Sequence, residues 1–393
     1  MNYKNRICII GGGGHVGFPL GLMLASKRNF IYLFDKNEDV CSKINKGEVP
    51  YFEKGTNKIL KKYKNSLLAG NDCSYIAKSN IIIVSIGTPV YKKNKPELKN
   101  FLKLFYFLKK IVNKKQVIII RSSVYPGITD KVKNILKDTN ENISYCPERI
   151  LQGKALIELP TLPQIVSGYN KRGIDISKKL FNSITSKTIV TTILEAEFIK
   201  LFSNAWRYIN FAASNQFFMI CQNFNLDFKK VRNFMMDGYD RNAHLPKAGF
   251  AAGPCLLKDT IQLSHFVKNK FPMGIDSLKI NEGFPLYLVQ NLKKNNQLKN
   301  KKIGILGLTF KSDVDDIRDS LSFKLIKILR RQKIKVLISD EFYKHPDGIS
   351  KKELIKKSDV VILAVPHKSY RRIKIPKNKI VIDTWGITKR KYS

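Results

Sequence analysis

Acidic side chains are scarce in this 393-residue sequence: 31 aspartates and glutamates stand against 71 lysines and arginines, a formal net charge of +40. That imbalance raises nucleic-acid binding as one reading. The basic residues, however, are spread along the whole chain and form no single stripe or tail. Such a distribution favours a lysine-rich solvated surface that also attracts anionic substrates, and no nucleic-acid partner is expected. Long apolar runs are missing too: none approaches the roughly 18 residues needed to cross a bilayer. The longest candidate, residues 198–221, is broken by Lys200, Asn204, Arg207 and Asn210, so no membrane span is expected. Cysteines are few and dispersed. Cys8, Cys41, Cys73, Cys146, Cys221 and Cys255 include no Cys-x-x-Cys pair and no cluster with histidine. A disulfide framework and a metal site are both disfavoured, and a reducing cytoplasm is the simplest setting. The sequence reads directly into a strand at Arg6–Ile10, so no signal peptide is expected.

What is present is a 43% hydrophobic chain long enough for two or three domains. Arg6–Ile10 runs into Gly11-Gly12-Gly13-Gly14-His15-Val16-Gly17, in which Gly12, Gly14 and Gly17 satisfy G-x-G-x-x-G. A helical apolar pattern follows over residues 18–26, and a second strand, Phe30–Phe34, ends at Asp35. In this arrangement the first glycine makes the turn, the second lets a pyrophosphate approach, and the third packs helix on strand. Asp35 falls about 20 residues downstream, where a carboxylate binds a ribose 2′-hydroxyl and repels a 2′-phosphate. The expected cofactor is NAD rather than NADP, held by Gly12, Gly14, His15, Val16, Gly17 and Asp35.

Further buried strands are expected at 80–86, Val117–Ile120, Ile143–Tyr145 and 164–167, with a helix at about 97–112. Ligands of a doubly wound sheet bind outside the carboxyl ends of its strands. Thr88, Ser123 and Glu148 fall just past such ends. Each alone reads as a loop residue; together they are candidates for contacts to cofactor and substrate.

Thr192-Ile193-Leu194-Glu195 fits a capping box and opens a long helix to about residue 222. Lys200 and Asn204 share one face of it, with Glu197 a turn earlier. Helices at about 228–236 and 260–267 bracket Gly249-Phe250-Ala251-Ala252-Gly253-Pro254-Cys255-Leu256-Leu257-Lys258-Asp259. Small residues there allow a sharp turn and close approach of a ligand. Cys255 is either an inert thiol in a glycine-rich loop or one that substrate can reach and nearby cations can ionise. An Asn- and Lys-rich linker over 290–302 precedes a second, smaller α/β pattern: strands at 302–307, 334–338, 360–365 and 380–382, and a helix at about 320–331. This part lacks a full G-x-G-x-x-G, so no second dinucleotide is expected. Lys311 and Arg318 are either surface charge or contacts to a nucleotide phosphate. The expected fold is α/β: two Rossmann-like doubly wound domains, residues 1–191 and 296–393, joined by a central helical domain, 192–295, with a long helix.

These parts resemble the UDP-glucose/GDP-mannose dehydrogenase family over nearly the whole chain. The resemblance is carried by Gly12–Gly17 with Asp35, Arg121-Ser122-Ser123-Val124, Pro147-Glu148-Arg149, the stretch from Ala196 to Asn204, the stretch from Gly249 to Asp259, and Gly307-Leu308-Thr309-Phe310-Lys311 with Asp316-Ile317-Arg318-Asp319-Ser320. It implies an N-terminal NAD domain, a central dimerisation domain and a C-terminal domain for the nucleotide of a sugar substrate. It also implies oxidation of the sugar's carbon-6 alcohol to a carboxylate for surface polysaccharide precursors, by a homodimer. In that family pattern Cys255 is the nucleophile, Lys200 and Asn204 stabilise an oxyanion, Asp259 positions water and orients Lys200, and Glu148 is the base for thioester hydrolysis. Ser123 stands where the family commonly has threonine. Arg149, Gly249, Lys311, Arg318 and, more loosely, Arg241 would contact substrate. The Pro-Glu-Arg form is similar to the branch acting on UDP-N-acetylhexosamines. Gln152, Pro254 and Trp385 depart from common family residues, and Trp385 stands where many relatives carry arginine. A two-electron hydroxyacid-type dehydrogenase is the competing enzyme reading; it needs neither the cysteine nor the second α/β part.

Overall fold

The computed structural model describes residues 3–88 and 98–388; Pro89 and Glu97, at the ends of an expected turn and an expected helix, lie outside them. The chain divides into two compact units, Met1–Ser203 and Asn204–Ser393. The first is built on β1 (Arg6–Ile10), β2 (Phe30–Phe34), β3 (Leu67–Gly70), β4 (Ile81–Val84), β5 (Val117–Ile120), β6 (Ile143–Tyr145), β7 (Gln164–Gly168) and β8 (Thr188–Val190). They form one sheet in the order β3-β2-β1-β4-β5-β6-β7-β8. Its first six strands are parallel, β7 runs antiparallel to β6, and β8 is parallel to β7. β4 and β5 are buried at every residue, as strands covered on both faces must be. Alternation along β1 sends Ile7 and Ile9 into one apolar layer and Cys8 and Ile10 into the other. Chain order reverses between β1 and β4, and that switch point opens a crevice at the strands' carboxyl ends.

The doubly wound reading holds, with additions. The strand expected at 164–167 is present but antiparallel. β3 and β8 went unread because each is three or four residues at or near a sheet edge, and β8 is mostly exposed. The helices Glu38–Lys46 and Thr56–Tyr63 were also unread; each buries only two residues in a lysine-rich stretch.

The long helix Ile193–Asn223 starts in the first unit and continues into the second. Its start is the capping box read from sequence: Glu195 N donates to Thr192 Oγ1 at 3.3 Å, and Thr192 N to Glu195 Oε2 at 3.0 Å. The second unit adds helices Phe228–Met236, Leu256–Phe266 and Pro272–Lys294, then β9 (Ile303–Leu306), helix Leu321–Arg331, β10 (Val336–Ser339), β11 (Val360–Leu363) and β12 (Ile380–Ile382). These four strands are parallel in the order β10-β9-β11-β12. Phe284, Leu288 and Leu292, one helical turn apart, pack with Phe218, Ile303 and Leu325 in one core. That spacing carries Pro272–Lys294 through residues 290–294, so the expected linker is shorter than read, beginning at Asn295. Among the described residues no helix is long and apolar enough to cross a membrane.

Glu197 fastens the start of the long helix to the loop after β5. Its buried carboxylate accepts Gly127 N at 2.8 Å, Thr129 N at 3.0 Å and Thr129 Oγ1 at 2.6 Å. Burial raises its pKa above the ordinary value, opposed by those hydrogen bonds. It thereby caps helix Ile128–Leu136, whose N-cap residue, Gly127, has no side chain to do so. Glu197→Ala strands these donors and is expected to cost about 2–3 kcal/mol in urea unfolding, with Glu197→Gln losing less.

Candidate active site

In the first unit the glycine turn is built as a dinucleotide cradle. Gly11 N and Gly12 N donate to Phe34 O at 2.9 and 3.2 Å, curling the turn over β2. A Cβ on Gly12 would stand 2.6 Å from Leu33 Cα, and one on Gly17 2.4 Å from Gly11 O, so neither position accepts a side chain. At Gly14 a Cβ would meet only Gly11 O, at 3.3 Å, which leaves that backbone approachable. Val16, the N-cap of helix Gly17–Ala25, supplies no side-chain acceptor, as a helix start that receives a pyrophosphate requires. Asp35 accepts Gly13 N at 3.0 Å and Asn37 N at 3.1 Å, and it lines a groove with Glu38, Cys41, Asn45, Lys46 and Asn71. These residues fit NAD.

The loops after β4, β5 and β6 are tied together. Thr88 Oγ1 donates to Ser123 O at 2.5 Å. Arg121, 1% exposed, bonds the Glu148 carboxylate and donates to Cys146 O and Gln164 Oε1, both at 3.2 Å. Its guanidinium also lies 4.7 Å from the Phe181 ring centroid. The other oxygen of Glu148 accepts Arg149 N at 2.8 Å and Ile150 N at 3.0 Å. Glu148 is thus buried and holds its own loop. Arg149 bonds Pro163 O, and burial lowers its pKa against the opposing pull of Glu148. Lys200 is buried on the long helix, one turn before Asn204. The Arg121–Gln164 anchor was not read from sequence, since a buried arginine leaves no periodic signal.

In the second unit Cys255 is exposed and occupies the N-cap of helix Leu256–Phe266. One turn in, Asp259 is fully buried; it accepts Asn204 Nδ2 at 2.5 Å and pairs with Lys258 at 3.0 Å. Arg318 is held by Asp316, with Arg318 Nη2 to Asp316 Oδ2 at 2.6 Å. That bond raises its pKa, burial opposes it, and the charges of Asp316, Cys255 and Asp319 raise it further; Gly253 N donates to Asp319 O at 3.4 Å, which ties this segment to the Cys255 loop. The loop before Cys255 is clamped by rings. Gly253 (φ +107) would place a Cβ 2.3 Å from Phe310, and Gly249 (φ +148) one 2.3 Å from Trp385. Gly249 N donates to Asn215 Oδ1 at 2.8 Å, and Asn215 Nδ2 to Asn281 Oδ1 at 2.9 Å. Lys311 lies 5.8 Å from the Phe310 ring centroid. Asn204, Gly249, Asp259 and Arg318 thus gather around the Cys255 loop. Arg241 instead sits on the exposed turn Asp240–Asn242, against the ring and hydroxyl of Tyr239.

A cavity of about 170 Å³ in the same unit is lined by Phe228, Lys229, Arg232, Lys247, Asp383 and Trp385. Burial, and then Lys229 and Arg232, lower the pKa of Lys247. Concentrated positive charge beside aromatic rings suits the phosphates and base of a nucleotide. Its one sequence signal was the turn spacing of Lys229 and Arg232. Among the described residues no group of His, Cys, Asp and Glu is arranged to hold a metal ion.

Comparison with known proteins places this geometry. Models of the UDP-glucose/GDP-mannose dehydrogenase family match three successive stretches: the NAD binding domain over residues 5–185, the central domain over 194–282 and the UDP binding domain over 304–390. The chain is similar to the UDP-N-acetyl-D-mannosamine dehydrogenase of Pyrococcus horikoshii, 25% identical, covering 98% of this chain and 96% of that protein. It is 29% identical to the enzyme of that name from Methanococcus maripaludis, covering 97% and 93%. A solved structure of UDP-D-ManNAc dehydrogenase from Pyrococcus horikoshii matches with a TM-score of 0.89 at 25% identity, covering 98% and 96%.

The cradle makes one direct prediction. Gly17→Ala forces a methyl group into Gly11 O and is expected to weaken NADH binding about tenfold or more in a fluorescence titration.

Proposed function

The chain belongs to the UDP-glucose/GDP-mannose dehydrogenase family, its cofactor is NAD, and on that premise we propose that it converts the carbon-6 alcohol of a UDP-N-acetylhexosamine into the uronate through a covalent bond to Cys255. The observation that carries this reading is an exposed thiol at a helix N-terminus, one turn from a buried carboxylate that is bonded to Asn204. A two-electron dehydrogenase has no need of that thiol.

NAD⁺, when bound at the glycine turn, supplies the hydride acceptor for each of the two oxidations. Loss of the first hydride and a proton leaves the sugar as an aldehyde, which has no hydride to release until a nucleophile adds. The Cys255 thiolate forms the new C–S bond, the carbonyl π pair moves to oxygen, and a proton completes the thiohemiacetal. Loss of the second hydride and of the hydroxyl proton leaves a thioester. Water then adds to the acyl carbon, the C–S bond breaks, and the carboxylate, the thiol and a proton are released. Lys200 and Asn204 are the proposed donors to the oxygen on which charge develops. Asp259 holds Asn204 in place and positions water, and Glu148 is the proposed base for hydrolysis. Thr88 and Ser123 border the cofactor. Lys311, Arg318 and the cavity around Lys229, Arg232 and Lys247 are proposed to take the nucleotide end.

The choice of sugar rests on Pro147-Glu148-Arg149 and on the names of the relatives. The product, an activated acidic sugar, is a precursor of the kind that polysaccharide synthesis consumes. The proposed assembly is a homodimer through the long helix, with the three-part division at residues 191 and 295. Phe202 and Trp206, one turn apart, are 54% and 62% exposed, and Phe217, Ile220 and Phe224 continue the exposed apolar surface. A stripe of this kind on one helix is an association surface.

Two measurements test the reading. With a panel of UDP- and GDP-sugars, two NADH are expected per uronate formed, and one NADH per substrate would assign the two-electron class. Cys255→Ser is expected to abolish acid formation while NADH binding stays at the parent value; uronate made at the parent rate overturns the mechanism. For the assembly, Trp206→Lys is expected to shift sedimentation from dimer to monomer.

A further inference from the structure

The segment between the helices Glu38–Lys46 and Thr56–Tyr63 touches two of the ligand-facing loops of the first unit, and neither the glycine motif nor the Cys255 chemistry accounts for it. Tyr51 Oη donates to Gly14 O at 2.8 Å. Its ring lies 3.9 Å, centroid to centroid, from His15 and 5.9 Å from Phe18. Two residues on, Glu53 is 4% exposed. Its carboxylate accepts Gly153 N at 2.7 Å and Ala155 N at 2.9 Å, across about a hundred residues of chain. The two loops also meet directly, where Gln152 Nε2 donates to His15 Nδ1 at 3.2 Å.

A carboxylate taken out of water is expensive unless it is well bonded. Glu53 is buried and spends both oxygens on backbone donors of one loop. Charge-assisted bonds of this kind are short and directional, so the loop's backbone is fixed to the segment 51–53. Tyr51 fixes the same segment to the carbonyl of the approachable glycine of the dinucleotide turn.

We infer that Tyr51 and Glu53 form a positioning bridge that sets the loop of residues 148–155 against the dinucleotide turn, so that the groups carried by Glu148 and its neighbours meet the sugar in register with the nicotinamide. Neither residue touches the reacting atoms; both act through the loops they hold. The cofactor half of this inference rests on the NAD-binding turn alone, and the substrate half rests on the proposed nucleotide-sugar reaction. Misplacement of a reacting pair by a fraction of an ångström to an ångström reduces rate far more than it reduces stability.

The test uses the full-length protein and three single variants: Glu53→Gln, which keeps one acceptor oxygen, Glu53→Ala, which keeps none, and Tyr51→Phe, which keeps the ring but not the bond to Gly14. On the best nucleotide sugar, kcat is expected to fall about tenfold in Glu53→Gln and further in Glu53→Ala, with KM for NAD⁺ raised about threefold or more in Tyr51→Phe. Thermal midpoints are recorded beside them. A fall in midpoint with kcat and both KM values within about twofold of the parent would show a purely structural role and overturn the inference. If the parent turns over no nucleotide sugar, the proposed reaction fails by itself, and NADH titration still decides the bridge. Weaker NADH binding in Tyr51→Phe and in folded Glu53→Gln supports it, and unchanged binding in both overturns it.

Discussion

Buried carboxylates that accept backbone N–H groups are the constraint on which the ligand ends of both units depend. The chain has few acids to spend, 31 in all, yet several are withdrawn from the surface for this purpose. Glu53 holds Gly153 and Ala155, Glu148 holds Arg149 and Ile150, and Glu197 holds Gly127 and Thr129. In the second unit Asp340 accepts Leu308 N and Phe342 N, and Asp383 accepts Ile387 N and Thr388 N. Loops carry polar backbone that must find partners once it is covered. A carboxylate satisfies two or three donors at once and more strongly than a neutral acceptor does. The surface is left overwhelmingly basic, which suits recruitment of an anionic dinucleotide and an anionic substrate.

The Cys255 loop uses a second device. Its glycines are not there for mobility. Gly249 and Gly253 take positive φ and accept the faces of Trp385 and Phe310 where a Cβ would stand, so the loop is pressed flat by aromatic rings while Asn215 holds its backbone. The result is a thiol fixed at a helix start with its surroundings preset. Trp385 is therefore bound up with Gly249. Its indole Nε1 donates to Ala364 O at 2.9 Å, which anchors the ring to the end of β11 rather than offering it to solvent.

Much of this was legible in the sequence. The G-x-G-x-x-G turn, Asp35, the central strands and the capping box at Thr192 all depend on local pattern, and each is found where the pattern put it. The cluster Asn204–Asp259 was read only through resemblance, because nothing local says that residues 55 positions apart will share a hydrogen bond. The bonds of Glu53, Glu148 and Glu197 to distant loops were invisible for the same reason: a glutamate in a lysine-rich segment looks solvated until the fold covers it. The linker was misjudged because its asparagines and lysines occupy the outer face of a helix whose inner face, Leu288 and Leu292, continues the core.

The two sheets differ in how the acid past the second strand is engaged. Asp35 and Asp340 occupy the same topological place, just past the second strand of a parallel sheet that begins with a glycine turn. Asp35 is lightly engaged, with one bond to the turn and one to Asn37, and it borders an open groove. Asp340 is saturated. It accepts Leu308 N at 2.5 Å, Thr309 N at 3.2 Å, Phe342 N and Tyr343 N, and it pairs with buried His367 at 3.1 Å. Burial pushes its pKa up, but His367 and the backbone donors outweigh that and hold it below the ordinary value. Asp313 N donates to His367 Nδ1 at 3.0 Å, so the imidazole turns its Nε2 proton to Asp340. Where the first turn has Gly12 and Gly13, the second has Leu308 and Thr309, both fully buried. The same strand–turn–helix frame is closed by its own side chains in one unit and left open for a pyrophosphate in the other.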